Sequence, residues 1–128
     1  MNRIPEAQLQ VLRHWLSQRA TQLREEISVA RRDTRERHAE RLPEAVDRKD
    51  EATDHIQAGM DHAETQRDIH ELEHVAAAQA RIENGSYGEC ADCGEPIALE
   101  RLLAQPAALR CAPCQAAQER ASARLGRG

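Results

Sequence analysis

The sequence predicts a mainly α protein: a long antiparallel coiled-coil helical hairpin on a small four-cysteine zinc-finger base, with a short C-terminal helix. Three observations predict it. Two stretches of roughly 35 residues each carry apolar side chains at three- and four-residue steps, the period of one helix face. A proline-bearing segment, Leu42-Pro43-Glu44-Ala45-Val46-Asp47, separates them. All four cysteines fall in one pattern, Cys90-x2-Cys93 and, seventeen residues on, Cys111-x2-Cys114. The division follows: residues 1–84 form the hairpin, with its tip at about 42–48, and residues 85–128 form the finger base and C-terminal helix.

The first helix is expected from about Pro5 to Arg41, a span with no glycine and no internal proline. Leu9, Leu12, Leu16, Leu23 and Ile27 form its apolar stripe, and Ala20 and Ala30 fill it. From Arg31 to Arg41 the chain is almost wholly polar, with Asp33, Glu36 and Glu40 alternating with arginines. Alternating signs on a helix read as a solvated face rather than a nucleic-acid patch. Pro43 cannot continue a helix interior and biases Leu42 away from it. Asp47, with Asp50 and Glu51 after it, reads as a new helix start, where an Asp cap contributes about 1 kcal/mol. The second helix is expected from about Arg48 to Glu83. Its apolar positions are Ile56, Met60, Ala63, Ile69, Leu72, Val75, Ala76 and Ile82, with a polar gap at Gln66 and Arg67. Gly85 supplies the C-terminal cap.

Two amphipathic helices joined by a short turn fold back antiparallel, and at ~1.5 Å per residue the pair is ~50 Å long. Paired stripes make a narrow seam. The leucines thin out towards the turn, so stability is expected to concentrate near Leu12–Leu23 and Leu72–Ile82.

The spacing C-x2-C-x17-C-x2-C fits four thiolates around one tetrahedral Zn²⁺. Gly94 suits a tight turn that aims backbone N–H groups at sulfur, and Pro113 suits the first turn of a helix. Four cysteines with no histidine nearby indicate a closed structural site rather than a catalytic one with an open position. Disulfides fit poorly, because nothing points to secretion, and a redox pair would need a strand–helix–strand setting. Leu99 to Ala104 suits one or two helical turns ended before Pro106, and Gln115 to Leu125 a short last helix. There, Arg120, Arg124 and Arg127 suit the helix dipole.

Composition sets the class. The chain of 128 residues has one Trp, one Tyr and no Phe, so a large globular core is not expected. Its net charge of −4 gives no general attraction to DNA or anionic membranes. No signal peptide or long apolar run is present, which points to a soluble, cytoplasmic protein.

Two further patterns carry more than one reading. His70-Glu71-Leu72-Glu73-His74 matches the H-E-x-x-H of zinc hydrolases, in which two histidines share a helix face and the glutamate polarises a water. No third ligand stands at a recognisable spacing, and the bland reading is a polar helix face. His14, His38, His55 and His62 read as surface residues. A seventeen-residue gap also occurs in DNA-reading fingers, which need cations for phosphate. Here the interval offers Arg101 and Arg110 against Glu95 and Glu100. A role for Arg101 beside the metal cluster, offsetting its negative charge, is equally consistent. The alternatives left open are an adaptor that binds DNA or another protein, and a zinc hydrolase.

The arrangement resembles the DksA/TraR family of zinc-finger transcription factors. The carrying residues are Cys90-x2-Cys93-Gly94-x2-Ile97-x3-Arg101-Leu102-x3-Pro106-x4-Cys111-x2-Cys114, with Glu83-Asn84-Gly85-Ser86-Tyr87-Gly88 in front of them. The resemblance covers most of the chain from about Leu42 onwards. It implies a non-enzymatic regulator that inserts its hairpin into the secondary channel of RNA polymerase, beside the catalytic magnesium. It implies no reading of DNA sequence; we expect the protein to act as a monomer. The family's tip pattern, Asp-x-x-Asp-x-Ala, is matched by Glu44-x-x-Asp47-x-Lys49, which keeps the charge but adds a methylene and a cation. Members that respond to ppGpp place basic residues at positions matching His74, Gln105 and Gln115. Neutral amides give such a ligand weaker hydrogen bonds than cations do, so weak ppGpp binding is expected.

Overall fold

A computed structural model describes residues 4–40 and 48–125, with the side chains of 38, 40, 48–55 and 57 outside the description. Four helices follow in order: α1 (Glu6–Glu40), α2 (Arg48–Asn84), α3 (Leu99–Ala104) and α4 (Ala112–Leu125). Among the described residues there is no strand, only an isolated bridge between Glu89 and Pro96. The fold is therefore mainly α, as the periodicity requires. Two units divide the chain: Met1–Gln18 with His74–Gly128, and Arg19–Glu73.

In the first unit, α1 starts where Pro5 fixes the backbone, and the Pro5 carbonyl accepts the Leu9 N–H at 2.9 Å. Leu12 and Leu16 on α1, with Val75 and Ala78 on α2, are buried; so are Ile97 and Leu102 of the finger segment. Arg13 and Glu83 pair at 3.6 Å with both side chains largely exposed. An early residue of α1 thus meets a late one of α2, the antiparallel sense.

In the second unit, Ala20, Leu23 and Ile27 continue the buried stripe of α1. Arg19 and Glu71 form a two-pronged pair, Nε to Oε2 at 2.5 Å and Nη2 to Oε1 at 2.8 Å. Arg37 donates to Asp61 at 2.5 Å. These two pairs run in the same antiparallel order.

The second helix departs from expectation in its earlier half. Ile56 and Met60 are 67% and 62% exposed, and Ala63 is exposed as well. The side turned towards α1 carries Asp61, Thr65 and Asp68 instead, which share a cleft with Ala30, Thr34 and Arg37 of α1. The cause lies on α1, where residues 31–37 are all exposed and polar. They offer no apolar surface for Ile56 or Met60 to bury, whereas Arg37 and Asp61 can pair. Further along, Ala78 rather than Ala76 is buried beside Val75. Burial is thus concentrated in residues 12–27 and 75–78 of the two long helices, where the leucines are.

Two outcomes follow from this packing. Leu16→Ala is expected to cost about 2–5 kcal/mol of stability, as buried leucines do, whereas Met60→Ala should stay within about 0.5 kcal/mol. Urea unfolding followed by circular dichroism reads both. The hydrogen bonds from Arg19 also hold the Glu71 carboxyl below its usual range. A carboxyl lowered in the folded state stabilises above its unfolded pKa and loses that contribution as pH falls through the folded one. The pair is partly exposed and screened, so it is worth about 1 kcal/mol or less. Glu71→Gln is therefore expected to lower the melting temperature slightly at about pH 7, with a smaller gap to the parent at about pH 3. An equal gap at both pH values would contradict this.

Candidate metal centre

The finger is built from the end of α2. Gly85, at φ 82°, ends the helix in the left-handed conformation that glycine adopts freely. The Arg81 carbonyl then accepts the N–H groups of Ser86 and Tyr87, at 2.9 and 3.1 Å. The Arg81 guanidinium reaches past the turn, donating to the carbonyls of Ser86, at 3.0 Å, and Glu89. Tyr87 is buried and donates its hydroxyl to the Pro106 carbonyl at 2.8 Å. Burial pushes its pKa up to about 12. These contacts fix the chain in front of the first cysteine. Gly88, at φ 91°, leaves room for Ile4, whose Cδ1 would lie 3.0 Å from a Cβ there.

The first knuckle follows. Cys90 N–H donates to Glu95 O at 2.8 Å and Gly94 N–H to Cys90 O at 3.0 Å, with Gly94 at φ 76°. Ala91 N–H donates to Leu109 O at 2.8 Å, tying this knuckle to the chain just before the second. Between them α3 buries Leu102 and ends at Gln105, ahead of Pro106. Arg101 reaches the site through the backbone, donating Nε to the Arg110 carbonyl at 3.0 Å. Arg110 in turn donates its Nε to Asp92 at 2.8 Å. The second knuckle opens α4, where Cys111 O accepts Gln115 N–H at 2.9 Å and Pro113 sits in the first turn.

Cys90, Cys93, Cys111 and Cys114 are brought together, with all four Sγ atoms within 4.8 Å of one another. Sulfurs at tetrahedral corners about 2.3 Å from a metal are about 3.8 Å apart. Cys93 Sγ and Cys111 Sγ stand 3.8 Å apart. The backbone N–H of Cys93, foremost among several, draws the Cys90 thiol down to about 6. Cys114 is pushed up to about 12, first by the side chain of Cys111 and then by those of Cys90 and Cys93. One thiolate forms readily, while Cys93 and Cys114 resist a second charge. Four thiolates in this space require a cation among them, so the donor set fits a metal.

Among the described residues, these cysteines are the one group of three or more metal-ligating side chains gathered in this way. Both oxygens of Glu71 are taken by Arg19, and His70 faces Glu73 at 3.7 Å. The glutamate that would polarise a water in an H-E-x-x-H site is therefore held by an arginine. His14 and His62 are exposed. Glu44 and Asp47 lie outside the described residues, as does the side chain of Lys49. His74, Gln105 and Gln115 line one cleft of about 580 Å³, together with Trp15, Arg101 and Arg110. The Asp92–Arg110 pair escaped the sequence reading. Its only trace there is an acid inside the first knuckle and a base just before the second.

A four-thiol finger that follows one long helix and opens another defines a C4-finger protein on a helical scaffold. Comparisons with known proteins narrow the class. Residues 85–120 match the prokaryotic dksA/traR C4-type zinc finger. The RNA polymerase-binding transcription factor DksA of Caulobacter vibrioides, in each of two strains, is 32% identical over 111 residues, 87% of this chain and 72% of the relative. The structure of transcription factor DksA2 from Pseudomonas aeruginosa superposes with a TM-score of 0.73 at 29% identity, covering 92% of this chain and 88% of that one. This chain belongs to the DksA/TraR family.

Removal of the metal by a strong chelator is expected to loosen the finger before the long helices, because metal binding and local folding are linked. Limited proteolysis should then cut first between residues 85 and 114, with most helical dichroism retained. An unchanged cleavage pattern after metal removal would contradict this.

Proposed function

We propose that this protein regulates transcription by binding RNA polymerase, with one Zn²⁺ held by Cys90, Cys93, Cys111 and Cys114. The observation that carries the reading is the 32% identity, across 87% of this chain, to a factor described as RNA polymerase-binding. The fold supports it too: two long helices of 35 and 37 residues precede the finger, long enough to reach into a channel. In this reading residues 1–84 are the probe and 85–128 its base. The hairpin enters the secondary channel of the polymerase, and Glu44, Asp47 and Lys49 act at its tip near the active site. Arg101 steadies the second knuckle by holding the carbonyl in front of Cys111. The chain works in the cytoplasm as a monomer, without catalysis of its own and without reading DNA sequence. Among the described residues no helix is long and apolar enough to cross a membrane.

The cleft containing His74, Gln105 and Gln115 is also lined by two arginines, each of which spends its Nε on a neighbour. The three positions themselves supply no fixed cation, so ppGpp binds weakly there.

A pull-down with core RNA polymerase, followed by in vitro transcription, tests this. The parent chain and Glu44→Ala and Asp47→Ala variants are all expected to bind, with the variants losing most of the effect on promoter output. Adding ppGpp should change that output little. Failure to bind core polymerase would end the proposal, and a salt-dependent shift of duplex DNA by the protein alone would favour the adaptor reading.

A further inference from the structure

We propose that Asp92 and Arg110 form a clasp between the two cysteine knuckles that sets how fast a metal ion enters and leaves them. The inference rests on the reading that these thiols take a metal. Seventeen residues separate Cys93 from Cys111, and coordination is the obvious link between the two pairs. The structure supplies two more, and a third contact braces the same stretch from α3; all three land on the two residues in front of Cys111. Ala91 N–H donates to the Leu109 carbonyl at 2.8 Å. Arg101 Nε donates to the Arg110 carbonyl at 3.0 Å. Arg110 Nε donates to Asp92 Oδ2 at 2.8 Å, and Asp92 lies inside the first knuckle, between Cys90 and Cys93. Of the three, only the Asp92–Arg110 pair is made between two side chains, so substitution can remove it without touching the backbone.

The physical role follows from how a closed four-thiolate site exchanges its ion. An incoming chelator gains a coordination position only when a sulfur leaves, and the displaced thiolate then takes a proton from solvent. Cys93 is exposed, and Cys111 and Cys114 are half-buried, so the cluster can be approached from outside. A displaced Cys111 rebinds quickly if its backbone stays beside the first knuckle, and slowly if that backbone swings away. The clasp holds it in place. Outer partners of metal ligands commonly matter about 10–100-fold, and exposed ion pairs much less. Arg110 is 27% exposed and Asp92 45%, so the effect should fall at or below the bottom of that span.

The test uses the zinc-loaded full chain and an excess of a colorimetric chelator. Asp92→Asn and Arg110→Gln are each expected to speed zinc transfer about three- to tenfold. The double variant should be no faster than the faster single one. Exchanging the charges, with Asp92→Arg and Arg110→Asp together, should return the rate to within about twofold of the parent. In about 1 M salt the gap between parent and variants should shrink, because the pair is open to screening. Parental rates in both single variants, or single effects that multiply in the double variant, would overturn the clasp. Circular dichroism checks that each variant folds, and if Arg110→Gln does not, the near-isosteric Asp92→Asn decides alone. If the parent carries no metal, the metal reading fails separately. The clasp is then read from thiol alkylation in the metal-free chain: faster alkylation in Asp92→Asn supports it, and equal rates overturn it.

Discussion

Two pairs of thiols, far apart in sequence, have to meet at one point and stay there despite their mutual repulsion. Most of the ordered structure around them serves that constraint. Gly85, Gly88 and Gly94 take up left-handed backbone conformations where the chain must turn sharply. Tyr87 is driven into the base and fastened to Pro106, which holds the approach to the first knuckle. Arg81, Arg101 and Arg110 reach carbonyl or carboxylate oxygens across three different turns of chain. The cost of gathering four ionisable sulfurs is visible in their opposed pKa shifts, one thiol drawn down and another pushed up. A divalent ion held there would remove that conflict by neutralising charge where the thiolates meet.

The long helices obey a different rule along their length. Where α1 offers Leu12, Leu16, Leu23 and Ile27, burial is nearly complete. Where it offers arginines and acids, the facing positions of α2 are charged or hydroxylic, and the pairing relies on Arg19–Glu71 and Arg37–Asp61. Exposed pairs of this kind contribute little to stability but favour this register, since a slip would part each arginine from its acid. The cleft along this part is lined by Glu25, Glu26, Asp33, Glu64 and Asp68, which gives that unit an acidic flank.

Local chemistry was legible in the sequence. The stripe of α1, the glycine cap after α2, the short helix Leu99–Ala104 and the proline in the first turn of α4 all depend on residues a few positions apart. The cysteine spacing was legible for the same reason at each knuckle. What escaped is non-local. Ile56, Met60 and Ala63 lie on a plausible stripe, but which face of α2 is buried depends on what α1 presents, and α1 presents charge there. Arg19 and Glu71 are separated by 52 positions, so nothing in the H-E-x-x-H motif reveals that its glutamate is already taken. Asp92 and Arg110 meet only because both knuckles close on one point. The tip role proposed for Glu44 and Asp47 comes from the family resemblance alone; residue chemistry by itself reads Asp47 as an ordinary helix cap.

The central claim is that one ion is shared by four sulfurs and that the finger is organised by it. X-ray absorption at the zinc edge, on protein purified without added metal and combined with elemental analysis, tests this most directly. The account predicts one zinc per chain, with a shell of four sulfurs at about 2.3 Å and no nitrogen or oxygen ligand. A shell containing histidine nitrogen or water oxygen, or a folded finger that carries no metal, would contradict it.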